Sequence, residues 1–166
     1  MKKTIIDLFE DSVVKYGAKT FLLEKKHRAF EPTTYAETRE QALETGAGLA
    51  AAGIRPGDKV AILSEGCNAW ITSELGVFYA GAVSVPLSVK LEESNDLLFR
   101  MRHAEVRALF VSKYQLSKIR RIRAELPQVE HIIVIGHTPL EAGETALGTL
   151  RRMGRDYLAA NREEFL

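Results

Sequence analysis

The stretch Ser64-Glu65-Gly66-Cys67-Asn68 places a hydroxyl, a carboxylate, a thiol and an amide between an apolar run and a helical pattern. A thiol nucleophile at Cys67 would need a general base and an oxyanion donor beside it, and no residue pattern suggests either. Amides at a helix start attract phosphate, but the glycine-rich loop ending in Lys and Ser/Thr is missing, and Glu65 would repel the anion. The stretch reads as a strand-to-helix turn, with Asn68 as the helix cap. His27, His103, His131 and His137 have no metal-ligand spacing and no cysteine cluster to join. The run Lys118-Ile-Arg-Arg-Ile-Arg123 is basic enough to address nucleic acid or lipid headgroups. Interleaved Ile119 and Ile122, in a chain of net charge +1, make it the solvated face of a packed helix instead. Trp70, one turn into its helix, could line a hydrophobic pocket, although tryptophan on an amphipathic helix more often joins the core.

The chain around these residues has 166 positions, enough for one domain with a real core. An apolar fraction of 46% and a charged fraction of 27% exclude disordered and fibrous classes. The near-neutral balance offers no electrostatic reason to expect nucleic acid as a partner. Cys67 is the single cysteine, so no internal disulfide forms and a reducing, cytoplasmic setting is expected. The opening Met-Lys-Lys-Thr is not read as an export signal, because Asp7, Glu10 and Asp11 interrupt the apolar region such a signal needs. No apolar run approaches the ~20 residues of a membrane-spanning helix.

Thr4 and Asp7 predict a helix cap, and Ile5, Phe9, Val13 and Tyr16 then share one face, with Gly17 as the stop. Residues 20–24 and 27–31 predict a small hairpin ending at Pro32. Thr34 and Glu37 have capping-box spacing. The helix they start should run to about Ala52, with Gly53 as terminator and Thr38, Ala42, Gly46 and Leu49 inside. From Lys59 the pattern alternates. Apolar runs at 59–63, 82–87, 108–111 and 131–135 predict buried strands, and the segments 69–80, 93–103 and 114–124 between them predict helices. Three successive strand-helix-strand units imply an α/β fold with a mainly parallel, doubly wound sheet and flanking helices. A loop over 137–143 and a helix from Thr145 complete the pattern. The predicted organisation is a single α/β subdomain over 1–166: an N-terminal helix and hairpin over 1–33, a βα core over 34–136, and a loop and terminal helix over 137–166.

Several of these features form a recognisable series. Thr34-Tyr35 precedes the small-residue helix, and Gly53-Ile-Arg-Pro-Gly-Asp-Lys-Val-Ala-Ile62 supplies a turn and strand. A helix containing Trp70 follows, then Ala80-Gly81-Ala82 and Val85-Pro86-Leu87. The series resembles the N-terminal region of the AMP-forming, adenylate-forming acyl-CoA synthetases. The stretch Pro86-Leu-Ser-Val-Lys-Leu-Glu-Glu-Ser94 is similar to the long-chain fatty acid-CoA ligase branch. This resemblance implies a parent enzyme with an acetyl-CoA synthetase-like N-terminal domain. Such an enzyme joins a long-chain fatty acid to AMP from Mg-ATP and passes the acyl group to coenzyme A, with peripheral membrane association a further expectation. The family's phosphate loop, adenine and ribose motifs and C-terminal lysine have no counterpart in the 166 residues. No catalytic, cofactor-binding or metal residue is therefore carried over, and the chain is expected to be truncated before the ATP-binding motif and inactive alone. Trp70 and Phe78 are the candidate substrate-pocket residues. A stand-alone flavodoxin-like binding or interaction module is the alternative reading. A further expectation is homo-oligomerisation, through apolar surface or sheet edge that further parts of a synthetase would cover.

Overall fold

The computed structural model describes residues 3–165. Helix α1 (Ile5–Tyr16) begins at the predicted cap, with Thr4 Oγ1 accepting from the Asp7 amide at 3.1 Å and the Asp7 carboxylate accepting from the Thr4 amide at 2.7 Å. Each bond satisfies an amide that the helix itself leaves unpaired. Of the predicted inner face only Phe9 is buried, while Ile5 and Tyr16 are exposed. Gly17 ends the helix in a right-handed conformation, not the left-handed one of a glycine stop. The chain turns at once into a hairpin, β1 (Thr20–Lys26) and β2 (Ala29–Thr34), paired antiparallel. Both strands are longer than predicted. Pro32 lies within β2 opposite Leu23, tolerated because β2 has a neighbour on one side only.

Helix α2 (Tyr35–Ala51) carries the second capping box, Thr34 with Glu37, at 3.2 and 2.8 Å. Its buried surface includes the predicted Thr38, Ala42, Gly46 and Leu49, and also Leu43, Thr45, Ala47 and Gly48. The face is wide because α2 packs against two helices, α3 (Asn68–Tyr79) and α6 (Leu147–Phe165).

The remaining strands are β3 (Lys59–Leu63), β4 (Val83–Pro86), β5 (Val106–Ser112), β6 (His131–Ile135) and β7 (Glu144–Ala146). They form one parallel sheet in the order β4-β3-β5-β6-β7. Helices α4 (Ser94–His103) and α5 (Leu116–Ile122) complete the crossovers. Strand residues alternate between two cores, as a period of two requires. Ala61, Leu63, Leu109 and Val111 meet Leu97 and Met101 of α4 and Leu116 and Ile119 of α5. Val60, Ile62, Phe110 and Ile133 meet Leu49 of α2, Val77 of α3 and Leu150 of α6. The sheet is thus covered on both faces, and the predicted doubly wound α/β architecture is present.

Three local expectations change. Residues 144–146 pair with β6 as a fifth parallel strand, so the last helix starts at Leu147 and not at Thr145. Glu-Thr-Ala has no apolar run to announce a strand; the open edge of β6 recruits it. Strand β4, expected to be buried, is the opposite edge, with Val83 46% exposed. The segment predicted as one helix over 114–124 is shorter, passing at Arg123–Glu125 into a 3-10 turn before Pro127. Gly81, at φ +67°, closes the turn after α3, where a residue with a Cβ would be strained.

Candidate functional site

The strand order creates one topological switch point. From β3 the chain crosses to β4 on one side, and α4 then returns it over β3 to β5 on the other. Loops leaving β3 and β5 diverge at the carboxyl ends of the strands, where open α/β sheets form a ligand crevice. The Ser64–Asn68 stretch lies there, as its place after β3 requires. Gln115, from the loop after β5, donates through Nε2 to Glu65 Oε1 at 2.5 Å and bridges the crevice. Burial pushes the Glu65 carboxyl up, but hydrogen bonding led by Gln115 outweighs it and holds the group below its usual value. An ionised carboxylate therefore stands where a phosphate would approach.

Asn68 is not the cap of α3. Cys67 occupies the N-cap position without a side-chain bond to the helix. The Asn68 amide donates instead to Glu24 Oε1 at 2.9 Å, and its side-chain amide donates to Thr33 Oγ1 at 3.3 Å. The N-terminal hairpin folds over the helix start and supplies the carboxylate from 44 residues away. Local sequence could not disclose that partner. One of the amides that make a helix start attractive to an anion is thereby used internally.

Lys118 also departs from expectation. It is only 8% exposed, and its Nζ donates to Val89 O at 2.8 Å, Leu91 O at 3.1 Å and Glu92 Oε1 at 2.8 Å. Its four-carbon stem crosses the edge of the α4–α5 core, and the ammonium finds acceptors at the far side. The other basic residues of that run behave differently: Arg120 forms a two-point pair with Glu144, both contacts at 2.8 Å, and Arg121 is exposed. The histidines remain dispersed, His103 stacking on Phe99 with ring centroids 5.5 Å apart. Among the described residues no group of three or more His, Cys, Asp or Glu could hold a metal ion.

At the other end of α3 a cleft of about 590 Å³ opens between α1, α3 and the end of α6. Ile5, Ile6, Phe78 and Phe165 contribute apolar wall, and Glu10, Arg39 and Tyr79 contribute polar groups. Arg39 Nε donates to both Glu10 carboxylate oxygens at 2.8 Å, and the Tyr79 hydroxyl donates to the same carboxylate. Burial, then the bond to Glu10, raises the Tyr79 pKa far above its ordinary value, so the phenol stays protonated. Phe78 borders this cleft. Trp70 does not line it and packs with Cys67 and Ala69 against the sheet-facing core. The structure therefore does not bring the two predicted pocket residues together.

Two polar clusters join distant segments of the chain. Glu10, Arg39 and Tyr79 come from three helices. So do Arg151, Thr45 and Thr72, where the guanidinium donates to the two hydroxyls at 3.1 and 2.6 Å. Burial lowers the Arg151 pKa. No local spacing links these residues, so no sequence signal was there to find. In the first cluster one carboxylate accepts from both donors; in the second the Thr45 and Thr72 hydroxyls pass their own hydrogens to Gln41 O and Ala69 O.

Fold and site together define a doubly wound α/β scaffold whose switch point is spanned by its own side chains. The chain belongs to the AMP-binding enzyme family, whose pattern matches residues 9–161. It is 29% identical over 145 residues to a long-chain-fatty-acid–CoA ligase of Thermus thermophilus, covering 86% of this chain and 27% of that protein. It is 28% identical over 109 residues to a long-chain-fatty-acid–[acyl-carrier-protein] ligase of Arabidopsis thaliana, covering 66% of this chain and 15% of the relative. Among solved structures, the anthranilate CoA ligase AuaEII in complex with anthranoyl-AMP superposes with a TM-score of 0.81 at 28% identity, covering 89% of this chain and 27% of that one. A long-chain-fatty-acid-CoA ligase from Archaeoglobus fulgidus gives 0.79 at 18% identity, over 93% and 30% of the two chains, a likeness of fold. The architecture is that of the N-terminal domain of adenylate-forming ligases. The chain spans less than a third of the length of these relatives.

Proposed function

We propose that this chain forms the N-terminal subdomain of a long-chain fatty acid–CoA ligase. Such an enzyme joins a fatty carboxylate to AMP from Mg-ATP, releases pyrophosphate, and passes the acyl group to the thiol of coenzyme A. The observation that carries the reading is the family match over nearly the whole chain, joined to its likeness to the Thermus ligase over 145 residues. The residues present do not fit a nucleotide site of their own. The crevice loop carries ionised Glu65, the Asn68 amide is bonded to Glu24, and no phosphate loop occurs. No step through ATP, magnesium or coenzyme A is therefore assigned to this chain. Its own contribution is architectural: a sheet that carries loops, and apolar surface, Phe78 included, against which an acyl pocket can be built. Trp70 supports such a wall from the core side of α3.

The test joins this chain to its downstream coding sequence and measures acyl-CoA formation from carboxylates of graded length. Preference for long-chain acids supports the reading. Preference for short or aromatic acids refutes the long-chain assignment, and a downstream sequence without a Ser/Thr/Gly-rich loop refutes the ligase assignment altogether. Purified alone, the 166-residue chain is expected to show no ATP–pyrophosphate exchange.

A further inference from the structure

The segment 87–93 joins β4, the edge strand beside β3, to α4 on the α4–α5 face of the sheet. Its start is fixed by the Leu87 amide, which donates to Ile62 O at 2.8 Å. Beyond that it has no regular structure. Internally it holds a Leu91 amide bond to Ser88 O at 3.1 Å and a Lys90 amide bond to Ser88 Oγ at 3.2 Å. Leu87 is buried in the core; beyond it Ser88, Lys90, Glu92 and Glu93 are exposed, and Val89 and Leu91 lean on the core as half-buried side chains.

All three donors of the Lys118 ammonium are used, and every acceptor lies within residues 89–92. Lys118 itself is buried on α5, which follows β5 across the switch point. One side chain thus fastens the loop from one side of the crevice to a helix on the other. The Glu92 side chain is 70% exposed, so solvent screens its share and the two carbonyls carry the attachment. Leu87, where the segment starts, is bonded to Ile62 at the carboxyl end of β3, and Lys118 follows Gln115 of the Glu65–Gln115 bridge after β5, so segment and anchor flank the switch point, the place where this fold class takes ligands.

We propose that residues 88–93 form a hinged lid at the switch point and that Lys118 is the latch holding it shut. The hinges are Leu87, held by the core and by Ile62 O, and Glu93, the N-cap residue of α4. Release of Lys118 removes the attachments to α5 and leaves two half-buried side chains to hold the lid, a weak hold compared with that of the sheet. The inference concerns a motion of this chain and is independent of which carboxylate the parent enzyme takes.

Amide hydrogen exchange on the 166-residue chain tests it. In the native chain the amides of Lys90 and Leu91 are expected to exchange through a local opening insensitive to low denaturant. Those of Phe110 and Ile133 are expected to exchange only through global unfolding. Lys118→Met is expected to accelerate the two lid amides roughly tenfold or more while Phe110 and Ile133 keep their relation to global stability. Glu92→Gln is expected to stay within about twofold of the native chain, since an exposed partner contributes little. If Lys118→Met does not fold, the denaturant series on the native chain decides alone. Lid amides that follow the denaturant dependence of Phe110 overturn the proposal. So does a Lys118→Met variant in which lid and sheet amides accelerate equally.

Discussion

Replacing Gly154 by alanine puts the smallest addition at the tightest contact of the fold. A Cβ built there would stand 1.8 Å from Glu44 O, 2.8 Å from Glu44 C and 2.8 Å from Gly48 N, all backbone of α2. Backbone cannot swing aside as a flexible side chain can. To reach 3.0 Å, below which such contacts essentially never occur, α6 must retreat from α2 by at least about 1.2 Å. Gly48 approaches α6 in the same way, its own Cβ position lying 2.4 Å from Leu150 O. Retreat therefore also loosens Leu150, which α6 buries in the sheet-facing core, and Leu158, which it buries against Leu43 and Ala47 of α2. Alanine gains about 1 kcal/mol in helix propensity, and overpacking typically costs ~1–3 kcal/mol, more when rigid elements must move. Backbone against backbone belongs at or beyond the top of that range, so a net loss of about 2 kcal/mol is expected. In a domain of this size that lowers Tm by roughly 4–8 °C. Urea unfolding followed by circular dichroism measures it, with Gly148→Ala as the control. No atom lies within 4 Å of the Gly148 Cβ position, so that variant should be neutral or gain up to about 1 kcal/mol. If Gly154→Ala is as stable as the native chain while Gly148→Ala behaves as stated, the close approach of α2 and α6 is wrong.

Two other outcomes follow from the ion pairs. The hydrogen bonds from Arg120 hold the Glu144 carboxyl below its ordinary 4.5, so its contribution to stability is complete above that value and is lost as pH falls through the lower folded-state value. Glu144→Gln should flatten the loss of urea midpoint on acidification below about pH 4.5, and a variant as acid-sensitive as the native chain would count against the pairing. Glu10→Ala leaves Arg39 and Tyr79 without their shared acceptor, at a cost of roughly 1–3 kcal/mol. Since α1 buries only Phe9 otherwise, limited proteolysis should cut within α1 several-fold faster while β5 and β6 stay protected; equal protection of α1 would argue against the anchor.

Much of the architecture was legible because it rests on local physics. The capping boxes at Thr4 and Thr34 need only a hydroxyl and an acid three residues apart. The β3, β5 and β6 runs are continuous because both faces of the sheet are covered, and the small residues of α2 announce a helix that touches its neighbours closely. The order of apolar runs and helical patterns sets the crossovers, and the motif series from Thr34 to Leu87 pointed to the family that matches residues 9–161. These features depend on neighbours in sequence.

Tertiary structure decided everything that depends on partners far apart. Residues 144–146 are a strand only because β6 has an open edge, and Glu24 caps α3 only because the hairpin folds over it. A lysine in a basic run became a buried clamp because three acceptors from another loop were brought to its end. Trp70 and Phe78, both aromatic and both on α3, were separated because the helix turns one toward the sheet and the other toward α1. Residue type and spacing determine what a segment can do alone. Desolvation and the choice of hydrogen-bond partner arise only when distant segments meet, as where Gln115 reaches Glu65 across the switch point.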